Sequence, residues 1–560
     1  MKMHLLRDCI KVETNGAPLP EDIMTLEPYH FNRSHTVYYF SLFKMPEVLK
    51  VFGKDLVTLP KPVMDRYNYV MWQRRAIEEL LHFGPQGDPV VNEHLTLRRH
   101  QELAREVARV YPKFAFYYDT RTGKTPLSIA IILDDIREHP DHKWLVVAPL
   151  VLLDLAWADD MRKFAPELKF VICHDKTKAK RLEKIRSDAN VYIINTESFV
   201  NYIEYFEGVS RLILDESSSM KNKSSKFSKA IVDFSRTADR LYLLSGTPAP
   251  NGAHEYYRQI QAIDYYGIQQ SFAQFKNKYF LNLARDVRFE QLVLRPDMQD
   301  ELQLLIRQYA LYVNKEDVLD TPGRKMIEYP VDMPADVKDH YKKMKKDLYT
   351  SVATEKDILA GSAATKLNKL NQITSGFLID TEARLNNSLA KHRGDTGDEQ
   401  EVYLLSDFRF KALAELLDKI GDQQVIIWAN YHVEFEYIDQ MLGAKCVQVY
   451  GEVPQEEKVY NIRQFKEGKA QYLVANPASA DKGLTLTNCH ICIYFSLNWS
   501  YESFKQSMER IYGDRSIQAH ECQYYIIEAK GTLNEVIYRE VLVGKQAVSQ
   551  AILDYLKADD

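Results

Sequence analysis

The stretch Phe114-Ala-Phe-Tyr-Tyr-Asp-Thr-Arg-Thr-Gly-Lys-Thr125 joins an aromatic, apolar run to a short loop that ends in Gly-Lys-Thr. A helix-like stretch, Pro126 to Ile132, follows it. In a strand–loop–helix unit, backbone N–H groups at the glycine turn and at the helix N-terminus point at bound phosphates. The Lys124 ammonium would neutralise β- and γ-phosphate oxygens, and the Thr125 hydroxyl would ligate Mg²⁺. The loop therefore predicts an ATP site in an α/β fold.

The composition is that of an ordinary globular chain. The 560 residues predict three or four domains, with 45% hydrophobic and 27% charged residues. No stretch approaches the roughly 18 apolar residues of a membrane span, and the N-terminus lacks a signal-peptide core. We therefore expect an intracellular protein, neither secreted nor bound to membranes. The net charge of −5 argues against non-specific coating of nucleic acid but allows a local basic groove.

Alternating strand-like and helix-like runs divide the chain. We expect an accessory α+β module at 1–92, an α/β domain at 93–265 and a second α/β domain at 403–545. Residues 266–402 are polar and helical and are predicted to be an insertion or linker, and residues 546–560 a tail. Predicted strands include Trp144 to Ala148, Val191 to Ile194, Arg211 to Leu214, Arg240 to Leu244, Gln424 to Trp428, Cys446 to Tyr450, Ala470 to Val474, Ile491 to Phe495 and Gln523 to Ile527.

Two further strand ends carry polar residues. Asp215 and Glu216 follow the apolar run Arg211 to Leu214, so they should face the crevice at the carboxyl edge of the sheet. Asp215 can hold Mg²⁺ through water, and Glu216 can orient or deprotonate the attacking water. Ser245, Gly246 and Thr247 follow in the same way at the end of the next predicted strand. Small hydroxyl residues beside the γ-phosphate could signal to a neighbouring domain whether ATP or its product is bound. The alternative is an ordinary Gly/Pro turn.

The order of these motifs resembles that of the superfamily 2 helicases, and among them the Swi/Snf-like double-stranded DNA translocases. In the first half the matching segments are Arg98-Arg-His-Gln101, Asp119 to Thr125, Val146-Val-Ala-Pro149 with Trp157, Asp215-Glu216, and Ser245-Gly-Thr-Pro248. Lys221-Asn222, after the acidic pair, is typical of the Swi/Snf-like subfamily. In the second half they are Val425 to Trp428, Ser479 to Thr487, Gln506 to Arg510, and Lys530 to Glu535. The resemblance implies two tandem RecA-like parallel-sheet domains with helical insertions.

The resemblance also assigns roles to particular residues. It implies that Arg98 and Gln101 contact adenine, and that Thr122, Gly123, Lys124 and Thr125 surround the phosphates and Mg²⁺. Ser245, Gly246, Thr247, Gly483 and Gln506 would couple nucleotide state to movement. Arginines of the last motif would reach the γ-phosphate when the two α/β domains close. Phosphate contacts with DNA would come from Lys221, Asn222, Asn251, Thr485 and Trp499, although Trp499 could equally be a packing aromatic.

The sequence departs from the family at three motifs. Tyr-Asp-Thr-Arg121-Thr-Gly replaces an early glycine, so Arg121 would either clash with a phosphate or reach one. Asp-Glu-Ser-Ser218 replaces Asp-Glu-Ala-His and removes an imidazole. In the last motif, the family usually has a second arginine three residues after Arg510, the arginine finger that reaches the γ-phosphate, but this sequence has Gly513 there. A two-residue insertion would restore Arg515 to that position. We predict that Arg510 and Arg515 act together.

The resulting prediction is an ATP- and Mg²⁺-dependent DNA translocase or helicase that acts on duplex or branched DNA, as in fork remodelling or branch migration. Its phosphate contacts would be largely indifferent to sequence. The small size and the Arg-Thr-Gly-Lys-Thr loop resemble the stand-alone members of the family in bacteriophages and bacteria. This resemblance implies a cytoplasmic protein of a bacterial or phage-infected cell, in which residues 1–92 would contribute to selection of the DNA substrate. We expect a monomer, with other replication or recombination proteins as further partners. Two alternatives stay open: the motor subunit of a restriction or defence assembly, and a nucleotide-gated DNA clamp with little turnover.

Overall fold

The computed structural model describes residues 2–6, 9–14, 30–31, 36–52, 61–268, 271–282, 292–354, 359–379, 402–477 and 484–539. The chain divides into two compact units, Met1–Leu319 and Asp320–Asp560, which we call the first and the second unit. The predicted tail and the predicted coupling residue Gly483 lie outside the described residues. None of the described helices combines the length and apolar character that crossing a lipid bilayer requires.

The first unit is built on a seven-stranded parallel sheet in the order β15-β7-β12-β11-β8-β10-β9. Its strands are β7 (Lys113–Tyr118), β8 (Trp144–Ala148), β9 (Phe170–Ile172), β10 (Val191–Asn195), β11 (Arg211–Leu214), β12 (Arg240–Ser245) and β15 (Ala310–Val313). The central strands are buried along their whole length because helices cover both faces. This burial explains their continuous apolar runs.

Helices of the first unit alternate with these strands. They are α1 (Met45–Phe52), α2 (Lys61–Phe83), α3 (Arg99–Val110), α4 (Lys124–Glu138), α5 (Asp159–Phe164), α6 (Lys178–Ile185), α7 (Thr196–Tyr202), α8 (Lys226–Thr237), α9 (Tyr256–Ile263), α10 (Phe272–Tyr279), α11 (Gln299–Arg307) and α12 (Lys315–Val318). Two small antiparallel pairs join β5 (Val90–Asn92) to β6 (Leu95–Thr96) and β13 (Phe280–Asn282) to β14 (Leu292–Leu294).

The N-terminal module carries an antiparallel sheet in the order β1-β2-β4-β3. Its strands are β1 (Lys2–Leu5), β2 (Cys9–Glu13), β3 (His30–Phe31) and β4 (Val37–Ser41). The module packs against the rest of the first unit: the Phe43 ring lies 5.7 Å from Tyr111 and 5.5 Å from Tyr309, and the Gln73 amide donates to the Val110 carbonyl. The module is thus joined to the parallel-sheet domain by buried contacts.

The second unit is built on a six-stranded parallel sheet in the order β16-β23-β22-β19-β21-β20. Its strands are β16 (Arg324–Val331), β19 (Val425–Trp428), β20 (Cys446–Val449), β21 (Tyr472–Ala475), β22 (Ile491–Tyr494) and β23 (Cys522–Ala529); β17 (Phe377–Ile379) pairs with β18 (Val402–Leu404). Its helices are α13 (Ala335–Thr354), α14 (Leu359–Thr374), α15 (Phe408–Ile420), α16 (His432–Leu442), α17 (Gln455–Lys466), α18 (Tyr501–Met508) and α19 (Leu533–Val536). Two parallel sheets flanked by helices confirm the predicted α/β class.

The region 266–402, predicted to be a helical insertion or linker, is partly strand. It supplies one of the two edge strands of each sheet, β15 in the first unit and β16 in the second. Strand β16 is largely exposed and begins with charged residues, so it lacks the continuous apolar run of a central strand. The sequence pattern missed both strands because each is defined by pairing with a distant partner, β7 or β23.

Candidate nucleotide site and nucleic-acid interface

Three functional turns lie together because their strands are neighbours. The order β7-β12-β11 places the phosphate loop, the Ser245 turn and the Asp215–Glu216 turn at the carboxyl ends of adjacent parallel strands. This edge of an open α/β sheet is where ligands bind. Helix α4 begins at Lys124, so the loop runs directly into a helix N-terminus that favours anionic groups.

The phosphate loop has a left-handed backbone at two positions. Gly123 has φ +85° and Arg121 has φ +67°. Among the described residues, the non-glycine residues with positive φ are Arg121 and Glu216, and both lie in the predicted site. Such a conformation costs a side-chain-bearing residue about 1–3 kcal/mol. A glycine at position 121 would carry no such cost, so the arginine holds this backbone conformation at the expense of stability.

The first turn of helix α3 forms hydrogen bonds with the phosphate loop. The Gln101 side-chain amide donates to the Gly123 carbonyl at 2.8 Å, and its oxygen accepts from the Arg98 backbone at 2.8 Å. The His100 ring lies 2.7 Å from the Thr122 carbonyl oxygen. A Cβ at Gly123 would lie 2.1 Å from the Gln101 amide nitrogen, so a side chain there would displace Gln101 as well as strain the left-handed backbone. Gln101, predicted to contact adenine, therefore also holds the loop in shape.

The Lys124 ammonium points back along the loop. It donates to the carbonyl oxygens of Tyr118 and Asp119 at 3.0 and 3.3 Å. The Thr122 hydroxyl donates to the same Asp119 carbonyl at 2.7 Å. Neutral carbonyl partners keep the ammonium beside the loop, and phosphate oxygens can replace them with stronger, charge-assisted contacts.

The acidic pair is buried at the end of β11. Asp215 accepts from the Trp157 indole at 2.9 Å and from the Glu216 backbone at 3.0 Å. Trp157 lies in a π-helical segment, Leu153–Ala158, a local form often found at functional sites. Burial and the neighbouring Glu216 carboxylate raise the pKa of Asp215 to about 6, against the opposing effect of Lys124. Such a shift is typical of an active-site carboxyl group.

This donor set fits a magnesium ion carried by nucleotide phosphates. Mg²⁺ binds through one or two protein oxygens together with phosphates and waters. Asp215 and the Thr125 hydroxyl are oxygen ligands of that kind, and a divalent cation would offset the two adjacent buried carboxylates of the turn. Asp215 and Thr125 are therefore the residues that could hold the metal.

The third turn contacts the acidic pair directly. The buried Ser245 hydroxyl donates to the Glu216 carboxylate at 3.3 Å and accepts from the Thr247 backbone at 3.1 Å. Gly246 lies against the phosphate loop, since a Cβ there would lie 3.2 Å from the Thr120 backbone nitrogen. Glu216, Ser245 and Thr247 are therefore joined by direct hydrogen bonds, and Gly246 places this turn beside the phosphate loop.

Sequence reasoning missed Gln259, which joins the same turns. This fully buried side chain accepts from the Tyr117 hydroxyl at 2.9 Å and from the Ser217 hydroxyl at 2.7 Å, and donates to the Pro248 carbonyl at 2.7 Å. It thereby links strand β7, the acidic turn and the Ser245 turn. A glutamine on an amphipathic helix carries no sequence signal for this role.

Lys315 was also missed. Its backbone N–H donates to the Asp119 carboxylate at 3.0 Å, and its ammonium lies 3.4 Å from the Thr120 hydroxyl. The side chain is 1% exposed, which is unusual for lysine. Lys315 lies about 190 residues after the loop in the chain, a separation over which periodicity predicts nothing.

The residues predicted to contact DNA in the first unit line one cleft. Lys221, Asn222 and Asn251 border a cavity of about 470 Å³ together with Lys223 and Arg258. Asn251 is oriented by Glu255, whose carboxylate accepts from its backbone and side-chain nitrogens at 3.2 and 2.7 Å. Arg258 donates to the Lys223 carbonyl at 3.0 Å. Cations and amides around one cleft match the needs of a nucleic-acid backbone.

In the second unit the two predicted finger arginines have different surroundings. Arg510 is 3% exposed and donates to the Leu484 carbonyl at 3.2 Å. The Arg515 side chain is 56% exposed; its Nε lies 3.4 Å from an Asp320 carboxylate oxygen, and Nη2 donates to the Thr321 carbonyl at 3.3 Å.

The other predicted site residues that the structure describes in the second unit are Gln506, Thr485 and Trp499. Gln506 lies on α18, and Thr485 and Trp499 are half-buried. The buried Gln518, which was not predicted, donates to the carbonyl oxygens of Thr487, Cys489 and Ile511 at 3.3, 2.7 and 3.1 Å. It ties the Thr487 turn to the turn that carries the arginines.

Comparison with known families agrees with this geometry. Residues 116–390 match the SNF2-related domain, and residues 408–512 match the Helicase conserved C-terminal domain. The solved SWI2/SNF2 ATPase core of Sulfolobus solfataricus in complex with dsDNA aligns over 84% of this chain and 95% of that chain, at 20% identity and a TM-score of 0.38.

Curated relatives come from a phage and from eukaryotes. Protein p41 of Acyrthosiphon pisum secondary endosymbiont phage 1 is 26% identical over 440 residues, 74% of this chain and 88% of that protein. The DNA repair and recombination protein RDH54 of Saccharomyces cerevisiae is 24% identical over 489 residues, 78% of this chain and 50% of its own length. The DNA annealing helicase and endonuclease ZRANB3 of Bos taurus is 22% identical over 434 residues, 74% of this chain and 37% of its own length. The chain thus spans about half, or less, of these two longer relatives.

The class of protein follows from two observations. Two family domains match in tandem, and each of the two units is built on a parallel sheet. The chain belongs to the Swi/Snf-like family of superfamily 2 helicases and is a DNA-dependent ATPase.

Proposed function

We propose that this chain is an ATP-driven translocase on duplex or branched DNA, acting in fork remodelling or branch migration. The observation that carries the proposal is the hydrogen bond between Ser245 and Glu216. It joins the turn with the acidic pair to the turn that leads toward the cleft bordered by Lys221, Asn222 and Asn251. Asn251 lies six residues after Ser245 and borders that cleft. Only the short stretch from Ser245 to Asn251 therefore lies between the residue that contacts Glu216 and a residue proposed to contact DNA.

Mg²⁺ accompanies the nucleotide in this proposal, with Asp215 and Thr125 as its protein ligands. Glu216 orients or deprotonates the attacking water, and Lys124 neutralises phosphate charge. The similarity to RDH54, a DNA repair and recombination protein, and to ZRANB3, a DNA annealing helicase and endonuclease, supports a DNA substrate, which we propose to be duplex or branched. Lys221, Asn222 and Asn251 supply sequence-independent backbone contacts.

The decisive experiment measures steady-state ATP hydrolysis with no DNA, single strands, duplex, forks and four-way junctions side by side. We expect duplex and branched DNA to stimulate turnover, with the largest effect from branched substrates. Lys124→Ala should abolish the stimulated activity by removing phosphate neutralisation. Turnover that is equal with and without every DNA form would refute the translocase, and equal stimulation by duplex and junctions would remove the branch preference.

A strand-displacement assay with a triplex or a mobile junction separates the translocase from the clamp alternative. Translocation predicts displacement that needs hydrolysable ATP. Tight nucleotide-dependent DNA binding with no turnover would favour the clamp. Co-purification with a nuclease or methylase would favour a motor subunit of a larger assembly.

A further inference from the structure

A groove separates the N-terminal module from the parallel sheet of the first unit, away from the phosphate loop. Its cavity volume is about 290 Å³, and we call it the module groove. Lys113 lines it and begins strand β7, whereas the phosphate loop follows Tyr118 at the other end of that strand. Five steps along a strand cover about 17 Å. A ligand of the module groove would therefore not overlap nucleotide at the loop.

Two arginine–tyrosine pairs line the module groove, one from each side. On the module side, Arg66 Cζ lies 5.8 Å from the centroid of the Tyr69 ring. On the sheet side, Arg236 Cζ lies 4.7 Å from the centroid of the Tyr265 ring. Aromatic rings and guanidinium planes are the groups on which unpaired nucleic-acid bases stack. The groove offers such surfaces on both walls.

Positive charge also favours a nucleic-acid ligand. Arg66, Lys113 and Arg236 all line the groove, in a chain whose net charge is −5. Its two acidic side chains are engaged by the protein: Asp264 accepts from two hydroxyl groups, and Asp239 accepts from a serine hydroxyl and lies 3.6 Å from an arginine nitrogen. Lys113 in turn donates to the Ser235 carbonyl. With three cationic and two acidic side chains the groove carries a small excess of positive charge, to which phosphate is complementary.

The aromatic surface continues outside the groove along helix α2. The Trp72 side chain is 51% exposed, and its ring centroid lies 5.7 Å from that of Tyr69. Large exposed aromatic side chains next to a charged groove usually mark a binding surface. Tyr69 in the groove and Trp72 outside it offer two separate rings, which favours a strand with several bases over a free nucleotide.

We propose that the module groove binds a single strand of DNA. Unpaired bases stack on Tyr69 and Trp72, and backbone phosphates lie against the three cations of the groove. A duplex keeps its bases stacked inside and exposes only their edges, so it cannot use these rings. The preference for DNA over RNA rests on the proposed function, whereas the groove itself is separate from the nucleotide site. In a branched substrate this surface would hold the unpaired arm.

The test measures binding of a fluorescein-labelled dT oligonucleotide of about 12 nucleotides, within the usual range of single-strand site sizes, to the full chain without ATP. Tyr69→Ala and Arg236→Ala should each weaken binding by about tenfold, because stacking on one aromatic ring is worth roughly 1–3 kcal/mol. Tyr69→Phe keeps the ring and should bind within about twofold of wild type. The strand should quench tryptophan fluorescence in wild type but much less in Trp72→Phe.

Matched controls lie on the same helix outside the groove. Phe83→Ala removes an exposed aromatic ring and Arg75→Ala an exposed arginine, and both should leave strand affinity unchanged. Thermal melting of each variant excludes misfolding as the cause of a loss. Duplex-stimulated ATP hydrolysis should be unchanged in Tyr69→Ala, because the groove lies away from the phosphate loop.

Several results would overturn the proposal. Unchanged strand affinity in both Tyr69→Ala and Arg236→Ala would do so, as would competition by duplex as effective as that by single strands. If dTMP alone binds as tightly as the oligonucleotide, the occupant is a free nucleotide. A dimer that Tyr69→Ala dissociates, with no strand binding, would make the surface a contact between copies. Strand binding that needs the groove in a protein without DNA-stimulated ATPase would refute the proposed function and leave the groove proposal standing.

Discussion

The nucleotide site of the first unit and the turn that carries Arg510 and Arg515 in the second unit differ in what surrounds their side chains. In the first unit, the predicted site residues bind one another: Gln101 holds the phosphate loop, Trp157 holds Asp215, and Ser245 contacts Glu216. In the second unit, Arg510 is buried against a backbone carbonyl while Arg515 is more than half exposed. The site side chains of the first unit are thus held by hydrogen bonds to one another, whereas the turn of the second unit carries one buried and one exposed arginine.

The difference shows that motif membership does not fix a residue's role. The resemblance assigns both arginines to the γ-phosphate, and their surroundings distinguish them. A buried side chain that satisfies a carbonyl supports the fold, whereas an exposed guanidinium remains accessible to a ligand. The predictions below test this division, from the largest expected effect to the smallest.

Arg515→Ala should lower kcat for DNA-stimulated ATP hydrolysis by about 10³-fold, since finger arginines contribute 10³- to 10⁵-fold in related phosphoryl-transfer enzymes. Its melting temperature should not change, because exposed ion pairs such as that with Asp320 contribute little to stability. The measurement is steady-state turnover at saturating DNA and ATP. A variant with wild-type kcat would assign the finger elsewhere.

Arg510→Ala should act mainly on stability. Losing a buried guanidinium that donates to the Leu484 carbonyl should cost roughly 2–3 kcal/mol and lower the melting temperature of the second unit by several degrees. Calorimetry of the full chain gives the result, with Arg515→Ala as the exposed-arginine control. An undisturbed transition with lost turnover would instead make Arg510 a finger residue.

Ser245→Ala should weaken the link between hydrolysis and DNA. It removes the hydrogen bond to Glu216 and the one from the Thr247 backbone, so DNA stimulation should fall about tenfold, equivalent to one ordinary hydrogen bond. Basal hydrolysis should fall less. The buried Ser198 on α7 provides the control substitution, and an equal loss of basal and stimulated rates would contradict a coupling role.

Glu216→Gln should stabilise the nucleotide-free protein by about 1 kcal/mol, because it removes a carboxylate beside buried Asp215. The pKa of Asp215 is raised to about 6 in the folded protein, so its unfavourable ionisation appears as pH rises from about 4 through 6. The gain in melting temperature should therefore be largest above pH 6 and small near pH 4. An equal gain at both pH values would show that charge is not the cause.

The sequence predicted the central strands well. It also predicted the edge strand β20, as Cys446 to Tyr450, but not the edge strands β15 and β16. Trp144–Ala148 and Arg211–Leu214 begin and end at the predicted residues, because strands buried on both faces give continuous apolar runs. Edge strand β16 lacks such a run. The four residues of β15 are apolar, but they form a strand of this sheet only by pairing with β7, which lies far earlier in the chain. The phosphate loop and acidic pair were visible because their residue types are tied to chemistry. Gln259 and Lys315 were not, because long-range contacts alone define them.

Backbone geometry was the other part that the sequence left open. The missing glycine was evident, but the left-handed conformation that Arg121 adopts in its place is a property of the folded loop. The same holds for Glu216, whose left-handed backbone follows from the turn after β11.

The most direct test of the account is a paired measurement on Glu216→Gln: affinity for ATP and rate of its hydrolysis with saturating duplex DNA. If the turn after β11 supplies the hydrolytic carboxylate, the variant binds ATP at least as tightly as wild type and turns it over about 10²- to 10⁴-fold more slowly, the usual contribution of a general base. Turnover within about threefold of wild type, a change too small for the loss of a catalytic group, would contradict it.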